Sequence, residues 1–185
     1  MSNLLGRFIQ DTYDLDASYE ITYALRMYLY LFLDMSDLAA LTWNNIDLKK
    51  RIIRIDSNNM HIIRPLSKDM AFDFSCLKVV SHSEYVFSLS QFEHISTDSL
   101  VKEIKLMGYS LNQLSVKSCL QTANAMLNAG YDLPRIGYYS GSSLTRWHLR
   151  SMGCVYSEQI GISENDFKLI DEWSIFLDWL SVTSS

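Results

Sequence analysis

Two short runs rich in β-branched residues interrupt a chain that otherwise follows helical spacing. The first run, residues 51–55, reads RIIRI, and the second, residues 60–66, reads MHIIRPL. The four residues between them, DSNN, are polar residues that favour turns. Strand-forming residues on both sides of a polar turn predict an antiparallel hairpin near 51–66. The predicted fold class is therefore α+β and mostly helical, with a small antiparallel sheet.

Helical segments are predicted before and after the hairpin. Residues 19–33 are rich in Leu, Tyr and Met without breakers, which predicts a mostly buried helix. Ser36 is a suitable cap for a short helix over residues 37–43, and Ser67 for a helix that ends near residue 80.

Three further elements are predicted towards the C-terminus. A short strand is expected near 85–89. Apolar residues at helical spacing predict an amphipathic helix from Val116 that stops at Gly130. A capping-box pattern at 163–166 begins a last helix, predicted over 163–182. Its broad apolar stripe needs a partner surface, which is either the chain's own core or another protomer; the stripe comprises Phe167, Ile170, Trp173, Phe176, Leu177 and Leu180.

The composition predicts one domain over residues 1–185. The chain has 185 residues, of which 48% are hydrophobic, and only 7 Gly and 2 Pro, so nothing marks a linker. Its longest uninterrupted apolar run, residues 27–33, is far shorter than a membrane-spanning helix. The N-terminus also lacks the apolar stretch of a signal peptide. We therefore expect a cytoplasmic protein without a membrane partner.

The thiols and imidazoles show no pattern of a metal or cofactor site. Cys76, Cys119 and Cys154 are odd in number and widely spaced, which predicts reduced, buried thiols. The four histidines lack ligand spacing, and there is no glycine-rich phosphate loop; they are His61, His82, His94 and His148. No metal and no cofactor are predicted.

Several segments, in their order along the chain, resemble the catalytic domain of tyrosine recombinases, also called phage integrases. Residues 33–47, LDMSDLAALTWNNID, are similar to the first box of that family, and residues 63–67, IRPLS, look like its strand-ending VPLS. Residues 129–133, AGYDL, are similar to AGVDL, and residues 140–143, SGSS, resemble LGHSS. The resemblance covers residues 18–157 and implies a recombinase-like core.

The same resemblance implies that the catalytic residues are replaced. Asp34 falls where the first catalytic arginine belongs, and Ser57 or Asn58 falls where the family carries its lysine. The remaining catalytic positions fall on residues that cannot perform the family's chemistry: Val116, Cys119, Ser142 and Ser151. Tyr156 as a displaced nucleophile lacks a recognisable acid, base or cation set around it. We therefore expect that the chain is not an enzyme.

Two functions remain open from the sequence. The first is a non-catalytic, DNA-associated regulator or accessory protein of a plasmid or phage. Because the net charge is −5, any DNA binding must come from a local patch. Only about twenty residues precede the recombinase-like segment, and without a second clamping domain the binding is expected to be weak. The candidate DNA contacts are Lys49, Lys50, Arg51, Arg54, Arg64, Lys117, Arg146 and Arg150, and the bland alternative is a solvated charged face.

The second function is a protein-interaction module without DNA binding of its own. It would pair with itself, with an active recombinase or with a transcription factor through the last helix. Members of the family exchange C-terminal segments between protomers, so the resemblance implies that the last helix packs in cis or in trans. The candidate contact residues are Trp173, Phe176, Trp179 and Leu180.

Overall fold

The computed structural model describes residues 2–31, 33–57, 60–91, 93–114, 162 and 164–183. Within these ranges the helices are α1 (Ser2–Tyr13), α2 (Tyr19–Leu31), α3 (Met35–Ala39), α4 (Lys68–Val80), α5 (Thr97–Leu106) and α6 (Glu164–Thr183). The strands are β1 (Ile46–Asp47), β2 (Ile52–Ser57), β3 (Met60–Pro65), β4 (Ser88–Ser90) and β5 (Glu93–His94). The predicted helix from Val116 to Gly130 lies outside the described residues.

The predicted hairpin is confirmed. Strands β2 and β3 pair antiparallel with Ile53 opposite Arg64, and β1 adds a third strand in the order β1, β2, β3. Ile53 and Ile55 are buried while Arg54 between them is exposed, so one face of β2 covers the core and the other meets solvent. This alternation fixes the register, because a shift by one residue would turn both isoleucines outwards.

The second predicted strand region forms a separate, shorter ladder. Tyr85 makes an isolated bridge with Thr42, and β4 begins at Ser88 and pairs antiparallel with β5. The carbonyl of Phe87 accepts from the Ile95 amide at 3.0 Å, which joins the two pieces. The strand expected near 85–89 is thus present, with its regular part shifted towards residue 90.

Capping explains where two of the helices start and stop. The Ser67 hydroxyl accepts from the Met70 amide at 3.1 Å, as predicted for the start of α4. The helix expected over 37–43 is wrong in its bounds, because α3 already ends at Ala39. The Asn45 side chain accepts from the Thr42 amide at 2.9 Å and from its hydroxyl at 2.6 Å, and this local turn replaces a continued helix.

Helix α1 was not predicted, although its signal is present in the sequence. Leu5, Phe8 and Ile9 recur at helical spacing and are all buried. Helix α6 packs along α1 and also contacts α2, α4 and β3. The predicted last helix is therefore confirmed as an element, and in this structure it lies on the chain's own core. Exchange of α6 in trans stays a prediction.

Trp173 is the largest side chain that α6 contributes to the core. It is 2% exposed, and its indole Nε1 donates to the Leu29 carbonyl of α2 at 3.3 Å. Leu180 is also buried and Phe176 is half-buried, whereas Trp179 on the opposite side is 58% exposed. In the described part of the chain, no helix is long and apolar enough to cross a membrane.

Cys76 corrects one expectation. The thiol was predicted to be buried, but it is exposed on α4, because the buried face of that helix is made by Met70, Phe74 and Leu77. Cys119 and Cys154 lie outside the described residues. No group of His, Cys, Asp and Glu side chains that could hold a metal ion occurs within the ranges given above.

Replacing the buried indole tests the role of α6 in the core. We expect Trp173→Ala to lower the free energy of unfolding by about 3–5 kcal/mol, because it removes a large buried ring and leaves a cavity. The matched control is Trp179→Ala on the same helix, which we expect to change stability by about 0.5 kcal/mol or less. Urea unfolding followed by circular dichroism measures both, and equal losses would contradict the cis packing.

Candidate nucleic-acid interface

Three exposed cations lie together at the turn between β1 and β2. Lys49 and Lys50 are exposed in the turn, and Arg54 projects from the solvent face of β2. Asp47 organises the group: its Oδ1 accepts from the Lys50 amide at 2.9 Å, and its Oδ2 lies 4.0 Å from Arg54 Nη2. An exposed pair at that distance leaves the guanidinium accessible to other anions. We call Lys49, Lys50 and Arg54 the basic turn.

Arg51 has a different role from its neighbours. Its backbone adopts φ +53°, in the left-handed region that costs a non-glycine residue roughly 1–2 kcal/mol. Its guanidinium Nη1 lies 3.0 Å from Asp171 Oδ1 of α6, and the group stacks over the Phe167 ring at 4.7 Å. These contacts offset the cost of the backbone conformation. They also hold the Arg51 side chain against α6, so its guanidinium is not free to bind a phosphate.

Asp171 joins three elements and was missed by the sequence reading. The same Oδ1 that accepts from Arg51 also accepts from the Lys68 amide at 2.9 Å, the first amide of α4. Amides at the first turn of a helix have no partner within the helix, so a carboxylate is well suited to them. The sequence contains one signal for this role, an acidic residue four positions after Phe167 within the apolar pattern of the last helix.

Arg64 also differs from the exposed candidates. It lies on β3 opposite Ile53 and is 3% exposed. A phosphate could reach this guanidinium only after a rearrangement of the sheet surface. The structure therefore brings together Lys49, Lys50 and Arg54, and separates Arg51 and Arg64 from them. The other candidates, Lys117, Arg146 and Arg150, lie outside the described residues.

Asp34 is the catalytic position that the structure describes with its side chain. It is exposed and immediately precedes α3, where its carbonyl accepts from the Leu38 amide at 2.9 Å. Its carboxylate makes no capping hydrogen bond to the helix. Ser57 ends β2. The other positions implied by the resemblance lie outside the described residues: Asn58, Val116, Cys119, Ser142 and Ser151, together with Tyr156.

Sequence comparisons identify no relatives of the chain. No protein-family model matches it, and no curated protein matches its sequence.

Solved structures show similarity at the level of the fold. The chain is similar to the crystal structure of XerA recombinase, with 14% identity and a TM-score of 0.58 over 92% of this chain and 61% of that one. It is also similar to the integrase from mycobacterium phage Brujita, with 14% identity and a TM-score of 0.52 over 91% of this chain and 61% of that one.

The likeness confirms the predicted fold class. The chain is mostly helical with a small antiparallel sheet, and the two similar structures are those of a recombinase and a phage integrase. The chain spans about 61% of the length of each of these two neighbours. At 14% identity the likeness concerns the fold alone.

The junction at Asp171 is open to a direct test. We expect Asp171→Ala to lower the free energy of unfolding by about 1–2 kcal/mol, because it removes an ion pair that is partly shielded from solvent and a bond to a helix amide. The control is Lys168→Ala, whose partner Glu172 is 3.9 Å away on the surface of the same helix. We expect that change to cost about 0.5 kcal/mol or less. Urea unfolding gives both values, and indistinguishable losses would contradict a junction at Asp171.

Proposed function

We propose that this chain is a non-catalytic, DNA-associated regulatory or accessory protein built on a recombinase-like fold. The observation that carries the proposal is the basic turn, which presents three accessible cations on such a scaffold. Because the neighbouring folds belong to a recombinase and a phage integrase, we place the proposed function in a mobile element such as a plasmid or phage.

The charge distribution supports local, salt-sensitive binding. Lysine and arginine side chains contact phosphates without reading base sequence, and each contact releases counterions from the duplex. The net charge of −5 means that the chain as a whole does not attract DNA, so attraction must be local. Of the described surface, the part around Lys49, Lys50 and Arg54 is suited to approach a duplex. The proposed binding is therefore weak and confined to one side of the protein.

The proposal includes the loss of DNA cleavage. In the family that the sequence resembles, two arginines hold the scissile phosphate and stabilise the charge that develops during transfer. Asp34, which takes the position of the first arginine by that resemblance, is exposed and would repel a phosphate. The remaining replacements come from the sequence resemblance alone. We therefore expect that a DNA duplex stays intact when this chain binds it.

A second candidate function is a protein-interaction module. The observation that favours it is the outer side of α6, where Ile175, Trp179 and Val182 are exposed at helical spacing. Such a stripe suits self-association or the binding of a recombinase or transcription factor. Sedimentation of the protein alone across a concentration series tests self-association, and a dimer that dissociates with Trp179→Ser would support it.

Neutralising the basic turn tests DNA association. We expect the triple variant Lys49→Ala, Lys50→Ala and Arg54→Ala to weaken binding to a labelled duplex of mixed sequence. The slope of log affinity against log salt should fall by about 0.9 for each phosphate contact removed. Fluorescence anisotropy at several salt concentrations measures both quantities.

The control removes the same charge elsewhere. Lys102, Lys105 and Lys168 are exposed on α5 and α6, and changing all three to Ala should leave the salt slope unchanged. If both triple variants bind like the original chain, the basic turn is not a DNA contact. If both lose affinity equally, the effect is one of net charge.

A nicked duplex tests the absence of catalysis. A tyrosine recombinase traps itself on such a substrate as a covalent protein–DNA adduct, visible on a denaturing gel. We expect no adduct with this chain, because by the resemblance the arginines that clamp the phosphate are replaced. An adduct that disappears in Tyr156→Phe would overturn the non-catalytic assignment and identify that phenol as the nucleophile.

A further inference from the structure

Helix α4 carries an exposed apolar stripe in addition to its buried one. Phe72 is 68% exposed and Val79 is 83% exposed, and Cys76 and Val80 complete the stripe at positions i+4 and i+8 from Phe72. A helix with apolar residues on opposite sides is typical of an element that is covered on both. Within the described part of the chain, only the side towards the core is covered, by packing through Met70, Phe74 and Leu77.

The stripe on α4 lies beside the exposed stripe on α6. The two helices are in contact and run in the same direction. The Lys68 amide at the start of α4 donates to Asp171, and further along both helices Asp73 faces Asp178. On α4, Phe72 lies three residues after Asp69, and Cys76 lies three residues after Asp73. On α6, Ile175 lies three residues before Asp178. The apolar residues therefore flank a central row of carboxylates.

That row is short of positive charge. Burial is the main cause that raises the pKa of Asp73, and the neighbouring carboxylates of Asp69 and Asp178 add to it. Burial likewise raises the pKa of Asp178, whose carboxylate accepts from the Tyr30 hydroxyl. Among the described lysines and arginines, none forms an ion pair with these three acids.

Among the described residues, the cation that acts on Asp73 and Asp178 is Arg26. The Arg26 guanidinium of α2 lowers the pKa of both Asp73 and Asp178, but it lies over the rings of Tyr13 and Tyr23, at 4.5 Å and 4.4 Å from their centres. Such stacking fixes the position of the guanidinium. An additional cation supplied from outside would therefore meet carboxylates that no described lysine or arginine pairs with directly.

We propose that the outer surface of α4 and α6 binds an amphipathic helix of a protein partner, with apolar residues on Phe72, Val79 and Trp179 and lysines or arginines beside Asp69 and Asp73. Two helices that run side by side leave a groove that a third helix fits. The α4 stripe from residue 72 to 80 is about 12 Å long at 1.5 Å per residue, which corresponds to two to three turns of a partner.

The charge of the surface selects among the classes of partner. A row of carboxylates repels the phosphates of nucleic acid and of anionic lipid headgroups. The same row attracts a basic helix, whose apolar side would cover the exposed stripes. This inference narrows the second candidate function to a partner class and does not depend on DNA binding.

A pair of synthetic peptides tests the proposal on the full chain. One is an amphipathic helix of leucine and lysine, and the other has the same pattern with glutamate in place of lysine. We expect the lysine peptide to bind and the glutamate peptide to fail, as measured by anisotropy of the labelled peptides. The double variant Phe72→Ser with Trp179→Ser should weaken binding by about tenfold or more, because it removes two exposed aromatic anchors.

Charge-matched variants separate this surface from general attraction to an acidic protein. Asp69→Asn with Asp73→Asn should also weaken binding, whereas Glu84→Gln with Glu93→Gln, two exposed acids elsewhere, should not. Because all four side chains lie wholly or partly at the surface, circular dichroism should show intact folds. Equal affinity for all variants would overturn the proposal. A dimer of the protein alone that dissociates with Phe72→Ser would also overturn it, since a second copy would then be the occupant.

Discussion

The packing of α6 against α1 and α2 is the constraint on which the rest of the structure depends. Trp173 fills the core from α6 and bonds the Leu29 carbonyl, so the last described helix completes a core begun by the first two. The same helix also positions the hairpin and α4, because Asp171 accepts from the Arg51 guanidinium and from the first amide of α4. The basic turn is therefore positioned by a helix more than a hundred residues away in sequence.

Elements with a strong local signal were predictable. The hairpin follows from isoleucine-rich runs around a polar turn, and α4 from a serine cap before an apolar run. The bounds of α3 were not predictable in the same way, because Asn45 competes with the helix through side-chain bonds to Thr42. Helix α1 carries a comparable local signal, because Leu5, Phe8 and Ile9 recur at helical spacing.

The candidate site was harder to predict than the fold, because exposure depends on tertiary contacts. In the sequence, five neighbouring cations look equivalent, yet Arg51 pairs with Asp171 and Arg64 is buried, while Lys49, Lys50 and Arg54 are exposed. The net charge of −5 also does not reveal that the basic turn is positive while the outer surface of α4 and α6 is negative. Asp73 and Asp178 come from helices far apart in the chain and gather only when α4 and α6 meet.

The contact between α1 and α6 also affects the order in which the chain can fold during synthesis. Leu5, Phe8 and Ile9 belong to the first described helix, but the helix that covers them is synthesised after all the other described elements. Until then α1 has only its smaller contact with α2, and long-range contacts such as that with α6 close slowly. The nascent chain thus exposes apolar residues of α1 while the elements between α1 and α6 are translated, a period in which a chaperone would protect it from aggregation.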